Sequence, residues 1–284
     1  MQIELTEIRN ALTRTSGYLK TVSSHSLQPY RGCSFGHALC GVGCYVRHNG
    51  HILRGRSWGE FIEVRTNAAQ SYLDNFAREQ KWARNKLGRF GVFLSSSTEP
   101  FLPQEFRYGV TREVLESMLD SPPDFLILQS HSHRAAEYLD LLRALADCCD
   151  LRVHLSIETD REEITGLPAH ASSVDARFTA AERIHSVGIR TVVTVSPLLP
   201  IRAPDTFFKR IASVADAVVI DHFIEGDGSV DGQRTRRTPL PEVMAALDPR
   251  STTLAYRDAT VRIAERHLPG RVGVSMDGFA GRFE

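Results

Sequence analysis

Long apolar runs are missing from this 284-residue chain, and no stretch approaches the roughly 18 consecutive hydrophobic residues that a membrane-spanning helix needs. The opening MQIELTEIRN is mixed and acidic, without the basic start and apolar core of a secretory leader, so the expected location is cytoplasmic. Net charge is absent as well. Lys and Arg number 34 against 34 Asp and Glu, so the composition does not demand nucleic acid as a partner. Cysteine is scarce and odd in number: there are five, bunched rather than spread. That pattern fits metal binding in a reducing compartment better than it fits a disulfide framework. What remains, 42% hydrophobic and 24% charged, can bury a substantial core and is unlike a disordered chain.

Three of the five cysteines, Cys33, Cys40 and Cys44, fall in the turn-rich segment LQPYRGCSFGHALCGVGCYVRHN at 27–49. Gly32, Gly36, Gly41 and Gly43 leave the backbone between them free to wrap a bulky centre. Two centres suit three close thiols. One is a 4Fe-4S cube with three cysteinate corners and a fourth iron open to a ligand such as S-adenosylmethionine. The other is a structural zinc completed by His37 or His48. The spacing alone leaves both open.

Beyond this segment, short β-branched runs alternate with amphipathic stretches. Strands are expected at 61–66, 89–96, 124–130, 151–159, 189–199 and 215–223, and helices at 68–82, 111–121, 134–149, 174–187, 205–214 and 241–267. Six strand-then-helix repeats imply parallel strands with right-handed crossovers, as in a partial (β/α)6 TIM-like barrel or a doubly wound sheet. Residues 1–60 then read as an N-terminal segment with the cysteine loop, and 61–284 as the barrel with a C-terminal tail, together one structural domain. In either architecture, chemistry sits at the C-terminal strand ends. Polar residues collect there: Ser95, Ser96, Ser97, Thr98 and Glu99, then Ser130 and His131, Ser156 and Glu158, Ser196, and His222. One such serine is ordinarily a cap or a turn residue. Hydroxyls at four successive strand ends together suit a polar cofactor. GDGSVDG at 226–232 reads as a loop able to cover the barrel mouth, and the tail GVSMDGFAGRFE as one able to fold across the open side.

Charge is uneven along the chain. Residues 1–110 carry 14 Lys and Arg against 8 Asp and Glu, and the remainder 20 against 26. The densest basic run, Lys81, Arg84, Lys86 and Arg89, lies beside Trp82 and Phe90 and reads as a solvated helix end before it reads as a nucleic-acid surface. Cys148 and Cys149 close a helix on the side away from the strand C-termini and read as ordinary thiols.

These residues resemble the radical S-adenosylmethionine enzymes, in the branch similar to spore photoproduct lyase. PYRGC at 29–33 and CY at 44–45 resemble the ends of that branch's cysteine motif. SSSTEPFLPQE at 95–105 resembles its Thr-Asp-Pro segment with Glu99 in the Asp place, SHS at 130–132 lies where Thr-Lys-Ser is usual, and LSIET at 155–159 and VSPLLP at 195–200 match later strand ends. The resemblance spans about residues 27–200. It implies a radical SAM-type partial barrel, a 4Fe-4S cluster on Cys33, Cys40 and Cys44, and S-adenosylmethionine contacted by Ser97, Thr98, Glu99, Ser130, His131, Ser156, Glu158 and Ser196. It also implies reductive cleavage of S-adenosylmethionine to a 5′-deoxyadenosyl radical, fed by a one-electron donor of the flavodoxin or ferredoxin type.

The chain departs from that pattern at telling places. The cysteines are spaced C-x6-C-x3-C where C-x3-C-x2-C is usual, and His37 stands where the second cysteine would fall, as a ligand, an outer donor or a loop residue. The lyase's hydrogen donors are a Cys and a pair of tyrosines; Ser96 and Gly43 stand at two of those places and only Tyr45 remains. A serine O–H bond is too strong for that role, so a different radical reaction is expected, on a small molecule, a modest peptide or a nucleoside, with nucleic acid less favoured and no membrane partner. The alternatives are a zinc-stabilised nucleic-acid-binding protein, a lyase-like DNA repair enzyme, and a cluster that serves only as a redox or iron sensor.

Overall fold

The computed structural model describes residues 1–283. Its eleven strands are β1 (Gln2–Thr6), β2 (Thr13–Arg14), β3 (His25–Leu27), β4 (Tyr30–Gly32), β5 (Phe61–Arg65), β6 (Gly91–Leu94), β7 (Phe125–Ser130), β8 (Asp150–Ser156), β9 (Thr191–Val195), β10 (Ala217–Ile220) and β11 (Val272–Val274). They form two sheets. The larger has the order β11-β10-β9-β8-β7-β6-β3-β2, parallel throughout except for β2, and the smaller has the order β1-β5-β4. Strands such as FLILQS in β7 and TVVTV in β9 are apolar on both faces, as strands covered on both sides must be.

Alternation along each strand separates two cores. Val92, Leu94, Leu126, Leu128, Val193 and Val218 face the outer helices. Phe93, Ile127, Val192 and Val219 face inward, where they meet Val22 and Phe279. Helices Ala68–Leu87, Val110–Asp120, Leu139–Cys148, Val174–Ser186, Pro204–Val214 and Leu254–His267 each return the chain between consecutive parallel strands. This is the partial (β/α)6 barrel expected from the sequence, extended by a seventh parallel strand, β11. The tail does fold across the open side: helix Ser275–Phe279 brings Phe279 against Tyr18 and Phe93, with ring centroids 6.2 and 6.4 Å away. Among the described residues no helix is long and apolar enough to cross a membrane.

Three expectations are corrected. The strand at 61–66 exists as β5 but does not open the parallel series; it lies between β1 and β4 in the small sheet. Its Glu63 is the reason, since this buried carboxylate is paired with Arg31 at 2.5 Å and with Arg56, where a barrel strand would carry an apolar side chain. The series begins instead at β3, whose sequence HSL is too short and polar to read as a hydrophobic run. Residues 1–60 therefore contribute strands to both sheets. The helix expected at 134–149 starts as a 3-10 turn, His133–Tyr138, and the one expected at 241–267 is split at Pro249, which has no N–H to continue the first half.

His154 sits on the inward face of β8 beside Phe279, fully buried, with Nδ1 unpartnered. Burial, with Arg152 and Arg190 nearby, pushes it down to about 3. Below its ordinary value near 6.5 the unfolded chain binds the extra proton and the folded chain does not. Stability is therefore lost as pH falls between those values, by about 1.4 kcal/mol per pH unit. The urea midpoints of wild type and His154→Gln should accordingly converge between pH 7 and pH 4.5; a gap that stays constant would show that His154 does not carry this acid sensitivity.

Candidate functional site

The cysteine loop is shaped by backbone contacts that tolerate no side chain. Gly32, at φ +83°, holds the last ladder position of β4; a Cβ there would stand 2.2 Å from the Phe61 carbonyl oxygen. A Cβ on Gly41 would stand 2.1 Å from the Phe35 carbonyl oxygen and 2.4 Å from the Gly36 Cα. The loop thus folds back on itself, with Cys33 ahead of the turn Ser34–His37, Cys40 in the single helical turn Leu39–Val42, and Cys44 ahead of the turn Tyr45–His48. Leu39 N–H donates to the Ala169 carbonyl at 3.0 Å, and the Tyr45 hydroxyl donates to the Ser96 carbonyl, which fastens the loop over the strand ends.

All three thiols line one cavity of about 500 Å³, a volume in the range of small-molecule sites. Burial pushes Cys33 up to about 12, with Cys44 adding to it, and Cys44 up to about 11. Cys40 is raised well above its ordinary value by burial and then by Cys33. Ionising them without a compensating cation is therefore costly, and a cationic centre would lower that cost for all three together. Of the loop's cysteines and histidines, only the three thiols reach the cavity. His37 lies 64% exposed at the surface, its Nε2 2.6 Å from Glu60, so it is a loop residue and not a partner of the cysteines. Neither His37 nor His48 lines the cavity. Among the described residues, no three Cys, His, Asp or Glu side chains close around a point as the ligands of one ion would.

The same cavity is lined by Ser95, Ser96, Ser97, Thr98 and Glu99 after β6, His131 after β7, Ser156 at the end of β8, Glu158 beyond it, and Ser196 after β9. Ser130 stands just behind, its hydroxyl donating to Glu99 Oε1 at 2.7 Å. Ser95 takes a left-handed φ of +71°, a strained conformation for a residue with a Cβ. The hydroxyls of Ser95 and Thr98 and the carbonyl oxygen of the Gln129 side chain are buried without partners. Orphaned polar atoms lining a cavity are what a polar ligand would complete.

Two carboxylates in this wall sit in contrasting environments. Glu99 accepts from Ser130, from Phe101 N–H at 3.0 Å and from His131 N–H at 2.7 Å, yet burial still raises its pKa. Glu158 is equally buried, but Arg177 Nη1 at 2.6 Å and His131 Nδ1 at 2.8 Å outweigh burial and hold it well below the usual carboxylate range. Arg177 also donates to the Ser156 carbonyl at 2.6 Å and meets His170 Nδ1 at 2.9 Å. This largest of the fully buried side chains was not foreseen from the sequence, where it sits inside an ordinary helix.

Sequence reasoning also passed over Tyr18, Gln129, Asp221 and Arg234, all of which line the cavity. Gln129 and Asp221 lie at or just past strand ends and were findable by that rule; Tyr18 and Arg234 lie on connecting segments and carried no signal. His222 lines the cavity too, but its ring is satisfied by the Ser251 carbonyl at 2.9 Å and by Ile224 N–H at 3.1 Å, as a structural histidine's would be. The loop 226–232 contributes Gly226, Asp227 and Gly228 to the cavity wall. Cys148 is exposed and Cys149 half-buried, at the far end of the helix leading into β8. Arg84 pairs with Asp124 at 2.5 Å and Arg89 lies 3.7 Å from Asp150, so half of the basic run is neutralised by neighbouring carboxylates.

No family model matches this chain, and no curated protein does. Among solved structures, a spore photoproduct lyase variant is 16% identical with a TM-score of 0.64, the match covering 96% of this chain and 81% of that one. A second variant of that lyase, with bound AdoMet and dinucleoside spore photoproduct, is 15% identical with a TM-score of 0.63 over the same shares. At such identity the likeness is one of fold, and it extends over nearly the whole chain.

Proposed function

We propose that this protein is a radical S-adenosylmethionine enzyme acting on a substrate other than duplex DNA. The observation that carries the reading is that Cys33, Cys40 and Cys44 share one cavity with the polar strand ends of a parallel partial barrel. The three cysteines would hold a 4Fe-4S cluster. Ser97, Thr98, Glu99, His131, Ser156, Glu158 and Ser196 would contact S-adenosylmethionine, with Ser130 holding Glu99. A cluster held there would supply the electron for reductive cleavage of S-adenosylmethionine at its S–C5′ bond.

The remaining roles belong to the chain itself. Glu99 and Glu158 are fixed by His131, one through its backbone N–H and one through its ring, so the ends of β6, β7 and β8 act as one rigid wall. Phe35, Trp58, Phe93 and Phe279 give the cavity apolar surface that excludes water from a reactive centre. Ser96 holds none of the hydrogen-donor chemistry of a thiol, which argues against thymine-dimer repair. A small molecule, a modest peptide or a nucleoside is the substrate class, and a flavodoxin- or ferredoxin-type protein the electron source.

The zinc reading is separated by composition. Protein purified without oxygen should carry about four iron and four sulfide per chain and absorb visible light. Colourless protein with one equivalent of zinc would overturn the proposal.

A further inference from the structure

Asp221 follows β10 and lines the cavity while only 4% exposed. Its backbone is held on both sides: its N–H donates to the Val195 carbonyl at 3.0 Å, and its carbonyl accepts from Leu198 N–H at 2.7 Å. Oδ2 accepts from the Ser196 hydroxyl at 3.1 Å. A Cβ on Gly226 would stand 2.4 Å from Oδ2 and 2.7 Å from Oδ1, so the carboxylate packs directly against the Gly226 backbone. Oδ1 has no hydrogen-bond partner.

The neighbours make that vacancy informative. The Tyr18 and Ser275 hydroxyls, both buried, lie near enough to this carboxylate to ease its charge, though neither reaches full hydrogen-bond geometry with it. Tyr18 precedes β3 and Ser275 follows β11, so the two ends of the parallel series meet at Asp221, with Phe279 edge-on to Tyr18. Glu158, in the same cavity, has Arg177 as its cation and the His131 ring as a second partner. Among the described residues Asp221 has none at ion-pair distance, although it is as deeply buried. A buried carboxylate with an open oxygen and no countercharge is costly to keep, and a ligand cation is the group that offsets the cost most.

We propose that Asp221, with Tyr18 beside it, is a substrate-anchoring residue that takes a cationic nitrogen, a protonated amine or amidine, on Oδ1. This rests on the cavity being the reaction chamber. Tyr18, Phe93 and Phe279 line the same cavity, and aromatic walls suit an organic cation better than a bare ion.

Benzamidine and its neutral analogue benzamide test this by calorimetric titration of the full-length protein without S-adenosylmethionine. Wild type should bind benzamidine about tenfold more tightly than benzamide. Asp221→Asn should abolish that preference, and Asp221→Ser serves the same comparison if the amide cannot be accommodated. Equal affinities in wild type, no binding of benzamidine, or a preference that survives both substitutions would overturn the proposal. S-adenosylmethionine binding by Asp221→Asn should be unchanged; a parallel loss would assign the residue to the cofactor and also overturn it. A wild type that shows the preference but never cleaves S-adenosylmethionine would sink the proposed function and leave the anchor standing.

Discussion

Replacing Cys33, Cys40 or Cys44 by alanine should each strip most of the iron from anaerobically reconstituted protein, whereas Cys148→Ala and Cys149→Ala should keep it. The cause is geometric. The first three thiols line one cavity, so on the proposed assignment losing any one would leave a cube with two protein ligands. Cys148 and Cys149 bond to the Ala144 and Leu145 carbonyls of their own helix, on the other side of the sheet ends. His37→Ala should retain iron, because that ring is engaged with Glu60 at the surface. Iron and sulfide assays on the six proteins would decide the matter, and a Cys148→Ala or Cys149→Ala variant as depleted as Cys33→Ala would refute the ligand assignment.

Arg177→Met should cost about 3–5 kcal/mol of stability, the range for removing one partner of a buried ion pair. Glu158 and Arg177 are each 2% exposed at the side chain, and the guanidinium makes four bonds, to Glu158, the Ser156 and Ser173 carbonyls and His170. Its loss leaves Glu158 facing His131 alone. Because Glu158 is held ionised in the folded state, this contribution is present above the carboxylate's ordinary pKa and fades only as pH falls below it. Urea unfolding at pH 7 measures the loss. The double variant Arg177→Met/Glu158→Leu should recover part of it, since an apolar pair is tolerated where a lone charge is not. A single-variant loss below about 1 kcal/mol would mean that the pair is solvated and does not organise the wall.

Much of this was legible in the sequence, and the physical reasons for the remainder are specific. The strands β6 to β10 announce themselves through apolar runs buried on both faces, and the hydroxyls and carboxylates that follow them are placed at the cavity by topology alone. β3 escapes because its three residues, His25, Ser26 and Leu27, are held by neighbours on both sides and not by their own hydrophobicity. β5 misleads because Phe61, Ile62 and Val64 look like a barrel strand, while its pairing with β1 and β4 is decided by Glu63 and its arginines. Arg177 and Tyr18 were invisible for a different reason. Each reaches the site from a helix or a 3-10 turn whose local pattern is indifferent to what lies opposite, so only the packed structure shows that Arg177 serves Glu158 and that Tyr18 lies against Asp221.

Incubating the reconstituted, chemically reduced protein with S-adenosylmethionine under anaerobic conditions, and identifying the nucleoside released, addresses the central claim most directly. Slow formation of 5′-deoxyadenosine together with methionine, even without added substrate, is the expected result. Release of methylthioadenosine alone would mean that a different S–C bond breaks, and S-adenosylmethionine recovered intact from iron-loaded protein would contradict the enzymatic reading altogether.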